Sequence, residues 1–217
     1  KEFLEFLNKN GFYMPNKSFS TFGSTPHELN VILNMDYPIK NEWESHVYHE
    51  LKTNKVMSTF SDQNYSIIET NSAMRWKDFS DVDTHLCYDI NFINSQFLDQ
   101  VLRKSIIKYF MEQHQTDTRR DIVRCTFNEL NEIALQNNGP TYVFSHVYIP
   151  HPPFIFGPNG ENVTPDHNEI SGLRSYENPQ GYLNQLIYGT SEVSVVITNI
   201  VENDPNAIII LQGDTGT

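Results

Sequence analysis

Apolar positions along this chain recur at two spacings, and the alternation between them predicts its elements. Phe3, Leu4 and Leu7 share one face of a helix running to about Asn10, with Gly11 as its stop. Residues 12–14 read as a short strand ahead of Pro15, and residues 18–25 as a Ser/Thr/Gly loop. Helices are expected over 26–35 and 42–52, separated by a turn at Asp36-Tyr37 and Pro38. Residues 65–69 (YSIIE) form a compact strand, followed by an irregular stretch over 71–94. Helical spacing returns at Phe97, Leu98, Val101, Leu102 and Ile106, predicting a helix over 95–112. It returns again at Val123, Phe127, Leu130 and Ile133, predicting a helix over 121–136.

The later half is more sharply punctuated. Asn137-Asn138-Gly139-Pro140 ends a helix, and residues 141–149 (TYVFSHVYI) read as a nearly continuous apolar strand. A Pro-rich loop (Pro150-His151-Pro152-Pro153) opens a polar excursion to about Pro179. A long helix is expected over 180–201, with Tyr182, Leu183, Leu186, Val193, Val196 and Ile197 as its buried side. A turn follows, then a buried strand over 207–211 (AIIIL). Strands separated by helices imply an α/β fold with a parallel sheet covered by helices. In such sheets ligands bind beyond the carboxyl ends of the strands. That rule singles out the loops after Glu69, from Pro150, and at Asp214.

Composition narrows the partners. The chain has 217 residues, room for one sizeable core. Asp plus Glu number 27 against 15 Lys plus Arg, a net charge of -12, which argues against a general nucleic-acid binder but leaves room for a local basic pocket. No apolar run approaches the ~18 residues of a membrane span, and no signal peptide is visible. Cys87 and Cys125 lack zinc-site or CxxC spacing, so two unpaired buried thiols are expected, with a disulfide as the alternative. The chain starts at Lys1 and stops just after an apolar run. It is therefore expected to be an interior slice, residues 1–217, of a single larger domain.

Three constellations could carry chemistry. In Ser24-Thr25-Pro26-His27-Glu28, Thr25 is placed as an N-cap, Pro26 as the first helical residue and Glu28 as the partner in a capping box. A plain helix start explains that spacing. A hydroxyl beside the positive end of a helix also suits a nucleophile attacking phosphorus or sulfur, given a metal or base to activate it. In SHVYIPHPPF, His146 lies within the expected strand, where a satisfied core histidine is the simpler reading. His151 lies past the strand, where it could bond a tetrahedral oxyanion or protonate a leaving group. Asp214, between Gly213 and Thr215 after the AIIIL run, could hold a divalent cation or merely cap a turn. Histidines 27, 46, 49, 85, 114 and 167 show no convincing ligand spacing.

Read in order, four blocks carry a likeness: 6–37 (FLNKNGFYMPNKSFSTFGSTPHELNVILNMDY), 89–92 (DINF), 139–160 (GPTYVFSHVYIPHPPFIFGPNG) and 182–216 (YLNQLIY through AIIILQGDTG). Together they resemble the sulfatase-like branch of the alkaline phosphatase superfamily, in particular membrane-linked bacterial and archaeal relatives of lipoteichoic acid synthase. The resemblance implies an alkaline-phosphatase-like, mostly parallel sheet flanked by helices and incomplete at both ends. It implies hydrolysis of a sulfate or phosphate ester, with one divalent metal ion (Ca, Mg, Mn or Zn). Thr25 would be the nucleophile and a metal ligand, Asp214 a second ligand, and His151, with His146, the contact to the anionic ester. The family's Asp-His-Gly motif has Thr215 at its histidine position here, so the metal set the resemblance implies is Thr25, Asp214 and Thr215, and Thr is a poor metal ligand beside imidazole. A phosphoglycerol- or phosphoethanolamine-type transferase, a catalytically inactive binding domain at the cell envelope, and an unrelated α/β domain stay open beside it. The resemblance further implies a membrane anchor in the whole protein and a location on the extracytoplasmic face of the cell membrane.

Overall fold

A computed structural model describes residues 1–37, 43–70, 79–87, 108–136, 139–165, 169 and 177–214. The elements are α1 (Glu2–Lys9), α2 (Thr25–Asn34), α3 (Trp43–Lys52), α4 (Lys55–Asp62), β1 (Ser66–Thr70), β2 (Thr84–Leu86), α5 (Lys108–Leu135), β3 (Thr141–Ser145) and α6 (Pro179–Asn203). The three strands form one parallel sheet in the order β2-β1-β3. β1 sits at its centre, with Ser66 to Thr70 in register with Thr141 to Ser145 on one side and Ile68 to Thr70 with Thr84 to Leu86 on the other. All three carboxyl ends therefore lie at one edge, which is the geometry expected of an α/β sheet.

Local chemistry explains the helix bounds. α2 begins after Ser24, whose backbone is extended, has Pro26 in its first turn, and ends at Met35 in the left-handed conformation (φ 52°), whose N–H returns to the Val31 carbonyl. Leu29 and Leu33, one turn apart, form its buried face. The sequence pattern did not anticipate α4, yet Asn54 caps it by accepting from Met57 N at 2.9 Å. Asn178 caps α6 in the same way, accepting from Gly181 N at 2.8 Å.

Two apolar clusters hold the elements. Leu29, Leu33, Leu51, Met57, Ile67 and Phe79 pack together, with Phe60, Tyr142 and Phe144 against them. Met57 and Ile67 are wholly buried, each contributing roughly 1.5–3 kcal/mol by area. The second cluster joins α5 and α6 through Val123, Phe127, Tyr188 and Val196, and takes in Ile155 and Phe156 from the loop after β3. Asn199 Nδ2 donates to Asn131 Oδ1 at 2.8 Å across the same helix pair.

Several expectations are corrected. Residues 12–14 form no strand, and Tyr13 is almost fully exposed. β3 is five residues long and stops at Ser145, so His146 lies just past the strand rather than inside it. The helix expected over 121–136 begins earlier: α5 runs unbroken from Lys108, while most of the 95–112 expectation lies outside the described residues. Residues 207–211 are not a strand, and Ile208 and Ile210 are 90% and 81% exposed. An apolar run becomes a buried strand only beside a pairing edge, and no described strand pairs with it. Leu183, expected on the buried side of α6, is 46% exposed, and wholly buried Gln185 takes the inward place. Cys87 and Cys125 are joined by a disulfide, which ties the end of β2 to α5.

Two outcomes follow for the fold. The denatured, unreduced protein is expected to show no free thiol, and reduction to cost on the order of 3–4 kcal/mol for a closed loop of this length; two reactive thiols before reduction would contradict the bridge. Burial pushes the Tyr142 phenol up from 10.0 to about 12. The folded state then holds its proton to higher pH than the unfolded chain, so this contribution is full below pH 10 and lost as pH rises toward 12. Denaturant titrations of Tyr142→Phe should show a shallower alkaline fall in stability than the parent chain; equal slopes would count against a buried phenol.

Candidate functional site

At the carboxyl edge of the sheet, Thr70 Oγ1 and Ser145 Oγ close the β1–β3 pair with a hydrogen bond of 2.7 Å. His146 is the next residue. Its Nε2 lies 3.6 Å from Asp214 Oδ2, and the same carboxylate oxygen accepts a short hydrogen bond from Thr25 Oγ1. Three side chains from distant parts of the chain thus meet at one point: the first residue of α2, the residue after β3, and the segment beyond α6. His146 is largely buried, with a side-chain exposure of 13%, and Asp214 less so at 28%. The close His146 imidazole holds the Asp214 carboxyl well below the usual carboxylate range; burial opposes this, and the Thr25 hydroxyl adds to it. An ionised, weakly basic Asp214 orients the Thr25 hydroxyl and is poorly suited to removing its proton at neutral pH.

The start of α2 is built to present Thr25. Ser24 is the N-cap, one residue earlier than the spacing suggested, and Thr25 is the first helical residue. Freed from capping, the Thr25 hydroxyl turns to Asp214. Ser24 Oγ instead pairs with His27 Nδ1 at 2.7 Å. Buried Glu28 reaches back beyond the cap, accepting from Thr21 N and Phe22 N, both at 2.9 Å, and so pins the preceding loop to the helix.

The loop after β3 is held from both long helices. Gln185 Oε1 accepts from Ile155 N at 2.9 Å and Phe156 N at 3.3 Å, while its Nε2 donates to the His151 carbonyl at 3.0 Å. Arg120 donates through Nε to the Ile155 carbonyl at 3.1 Å and through Nη2 to the Val163 carbonyl. Buried loop backbone is satisfied this way in place of a sheet partner. His151 projects from the loop, exposed, with its ring 4.5 Å from that of Tyr148. Its Nδ1 is 2.5 Å from the Pro152 carbonyl, which can only accept, so Nδ1 carries the proton and Nε2 faces the other way.

Of the residues the sequence singled out, Thr25, His146 and Asp214 come together. His151 makes no hydrogen bond to Thr25 or Asp214, and Thr215 lies outside the described residues. Arg119 and Tyr148, which pack together beside His151, were not anticipated; the doublet Arg119-Arg120 was the signal available for the first. The Glu69–His85 pair, 3.0 Å apart on neighbouring strands, was also missed. A cavity of about 540 Å³ opens between Phe154, Val163, Glu169, Asn178 and Asn184, and none of Thr25, His146 or Asp214 lines it.

The cluster's donors suit a divalent cation in kind: a carboxylate and a hydroxyl already share one hydrogen bond, with an imidazole nitrogen beside them. Among the described residues no group of three or more His, Cys, Asp or Glu surrounds one point, so Thr25 would be part of any such set. Compared with protein-family models, curated proteins and solved structures, the chain matches none.

The brace supports a direct check. Gln185→Leu leaves two loop N–H groups and a carbonyl without their partner, and is expected to cost about 2–4 kcal/mol. Denaturant titration measures this; a loss under ~0.5 kcal/mol, typical of a surface change, would contradict the brace.

Proposed function

We infer that the Thr25–His146–Asp214 cluster is a metal-assisted ester-transfer site acting on a sulfate or phosphate ester. The observation that carries this reading is the Thr25 hydroxyl bonded to an ionised, partly buried Asp214 beside His146, at the carboxyl edge of a parallel sheet. The finer fold proposed with it is that of the alkaline phosphatase superfamily, sulfatase-like branch. Thr25 and Asp214 would hold the cation, with Thr215 in the position of a third ligand. A bound divalent cation supplies positive charge that lowers the pKa of the hydroxyl.

Asp214 accepts the Thr25 hydrogen bond and aims the oxygen. Thr25 Oγ1 then gives up its proton to solvent water and attacks sulfur or phosphorus in line; a new Oγ1–S or Oγ1–P bond forms as the bond to the leaving alcohol breaks. His151, with a proton at Nε2 in its charged form, donates it to the departing oxygen, and His146 keeps Asp214 ionised. Water releases the group from Thr25 in a hydrolase; an acceptor hydroxyl does so in a phosphoglycerol- or phosphoethanolamine-type transferase. The proposed setting is the extracytoplasmic face of the cell membrane, with a membrane anchor in the whole protein. The Cys87–Cys125 disulfide supports an oxidising compartment. No helix among the described residues is long and apolar enough to cross a membrane.

A second reading, an inactive binding domain of the same fold, is favoured by Thr215 at the position of a ligating histidine. The two part on one substitution. In the intact, cation-loaded protein, Thr25→Ala is expected to lower ester turnover by at least about a thousandfold. Turnover unchanged by that substitution would remove Thr25 as the nucleophile.

A further inference from the structure

The loop after β3 and the start of α6 enclose a cavity that the ester-transfer cluster does not use. One wall is the turn from Phe154 to Val163. It folds back on itself, with Val163 N donating to the Ile155 carbonyl at 3.0 Å and Gly157 N to the Glu161 carbonyl at 2.9 Å. The other wall is the first turn of α6, fixed by the Asn178 cap on Gly181 N. Gly181 lets the two walls close, because a Cβ there would stand 2.7 Å from the Phe154 ring and from Asn178 Nδ2. The space between them is about 540 Å³, inside the roughly 300–1,000 Å³ range of small-molecule sites.

Glu169 sets the chemistry of this space. It lines the cavity and is only 7% exposed. Its Oε1 accepts from Asn178 Nδ2 at 2.8 Å and its Oε2 from Phe154 N at 3.3 Å. Both donors are neutral, and a carboxylate with about four acceptor positions keeps capacity for more. Among the described residues no Lys, Arg or His lines the cavity, and Glu177 adds a second negative charge to its wall. The positive end of α6 contributes only about half a unit charge against these two. A buried carboxylate held by neutral donors is costly, and a cationic guest removes that cost. Val163, Pro165 and Phe154 give the same space an apolar side. That side suits a carbon stem, and a metal ion with its waters would leave it unused.

We propose that this cavity binds a small organic ammonium ion, with the charged nitrogen on Glu169 and the carbon stem against Val163, Pro165 and Phe154. The site stands apart from the Thr25–His146–Asp214 cluster, none of whose members lines it, and does not depend on the ester-transfer reading.

The test is equilibrium binding of two probes of similar shape, n-butylammonium and butan-1-ol, to the intact protein at neutral pH, followed by backbone amide NMR shifts. The ammonium is expected to bind at least about tenfold more tightly, with shifts centred on Val163, Asn178 and Asn184. Glu169→Gln should erase that ratio. Val163→Phe puts a larger side chain into the space while keeping the carboxylate, and should weaken both probes at least about fivefold; it serves alone if Glu169→Gln does not fold. Equal affinities in the parent protein, or a ratio that survives Glu169→Gln, would overturn the site. So would shifts spread over the acidic surface and unchanged by Val163→Phe. Displacement of n-butylammonium by an equimolar amount of Mg or Ca would overturn it in favour of a metal site.

Discussion

The parallel pairing of β1 with β3 is the constraint on which the rest depends. Five register pairs, from Ser66↔Thr141 to Thr70↔Ser145, bring together segments separated by the whole of α5. Once they are paired, both strands end at one edge, and the residue after each end is handed to the same region. His146 is there because β3 stops at Ser145, and it stops where Thr70 and Ser145 join their hydroxyls. Tyr142 and Phe144 pack against the first apolar cluster, Tyr142 on the Phe60 ring and Phe144 edge-on to Phe79, so the pairing is held by burial as well as by backbone bonds.

The site adds a second long-range link. Thr25 and Asp214 are 189 residues apart in sequence, and their contact draws the start of α2 to the segment beyond α6. His146 stands between them and the sheet. The cluster thus falls where three independent placements agree: a helix start, a strand end and the chain after the last long helix. Gln185 and Arg120 stabilise the adjoining loop by satisfying its backbone from both long helices. A loop so braced holds the neighbouring Tyr148 and His151 rings in place.

The elements legible in the sequence were those with an uninterrupted pattern. β1 carried Ile67 and Ile68 between polar neighbours, and α2 spaced Leu29 and Leu33 by one turn. α5 was cut short because Thr116, Thr118 and Arg120 look like surface residues, yet all are buried, and Arg120 is satisfied by loop carbonyls that no local pattern encodes. β2, with three residues, and α4, with a largely polar face, depend on neighbours. The AIIIL run showed the opposite failure: its apolarity was plain, but strand formation is a property of a pair. Thr25 and Asp214 could be singled out by residue type and position. That His146 joins them could not, because its place turns on a strand ending one residue before it.

The central claim is that Thr25 and Asp214, beside His146, hold a divalent cation that activates the Thr25 hydroxyl. Metal analysis of the purified intact protein, and of its Asp214→Asn variant, tests this most directly. The account predicts one tightly bound divalent cation per chain in the first, and its loss with the fold retained in the second. A folded protein that carries no such cation after saturation with Mg, Ca, Mn or Zn, or a variant that binds it equally well, would contradict the account.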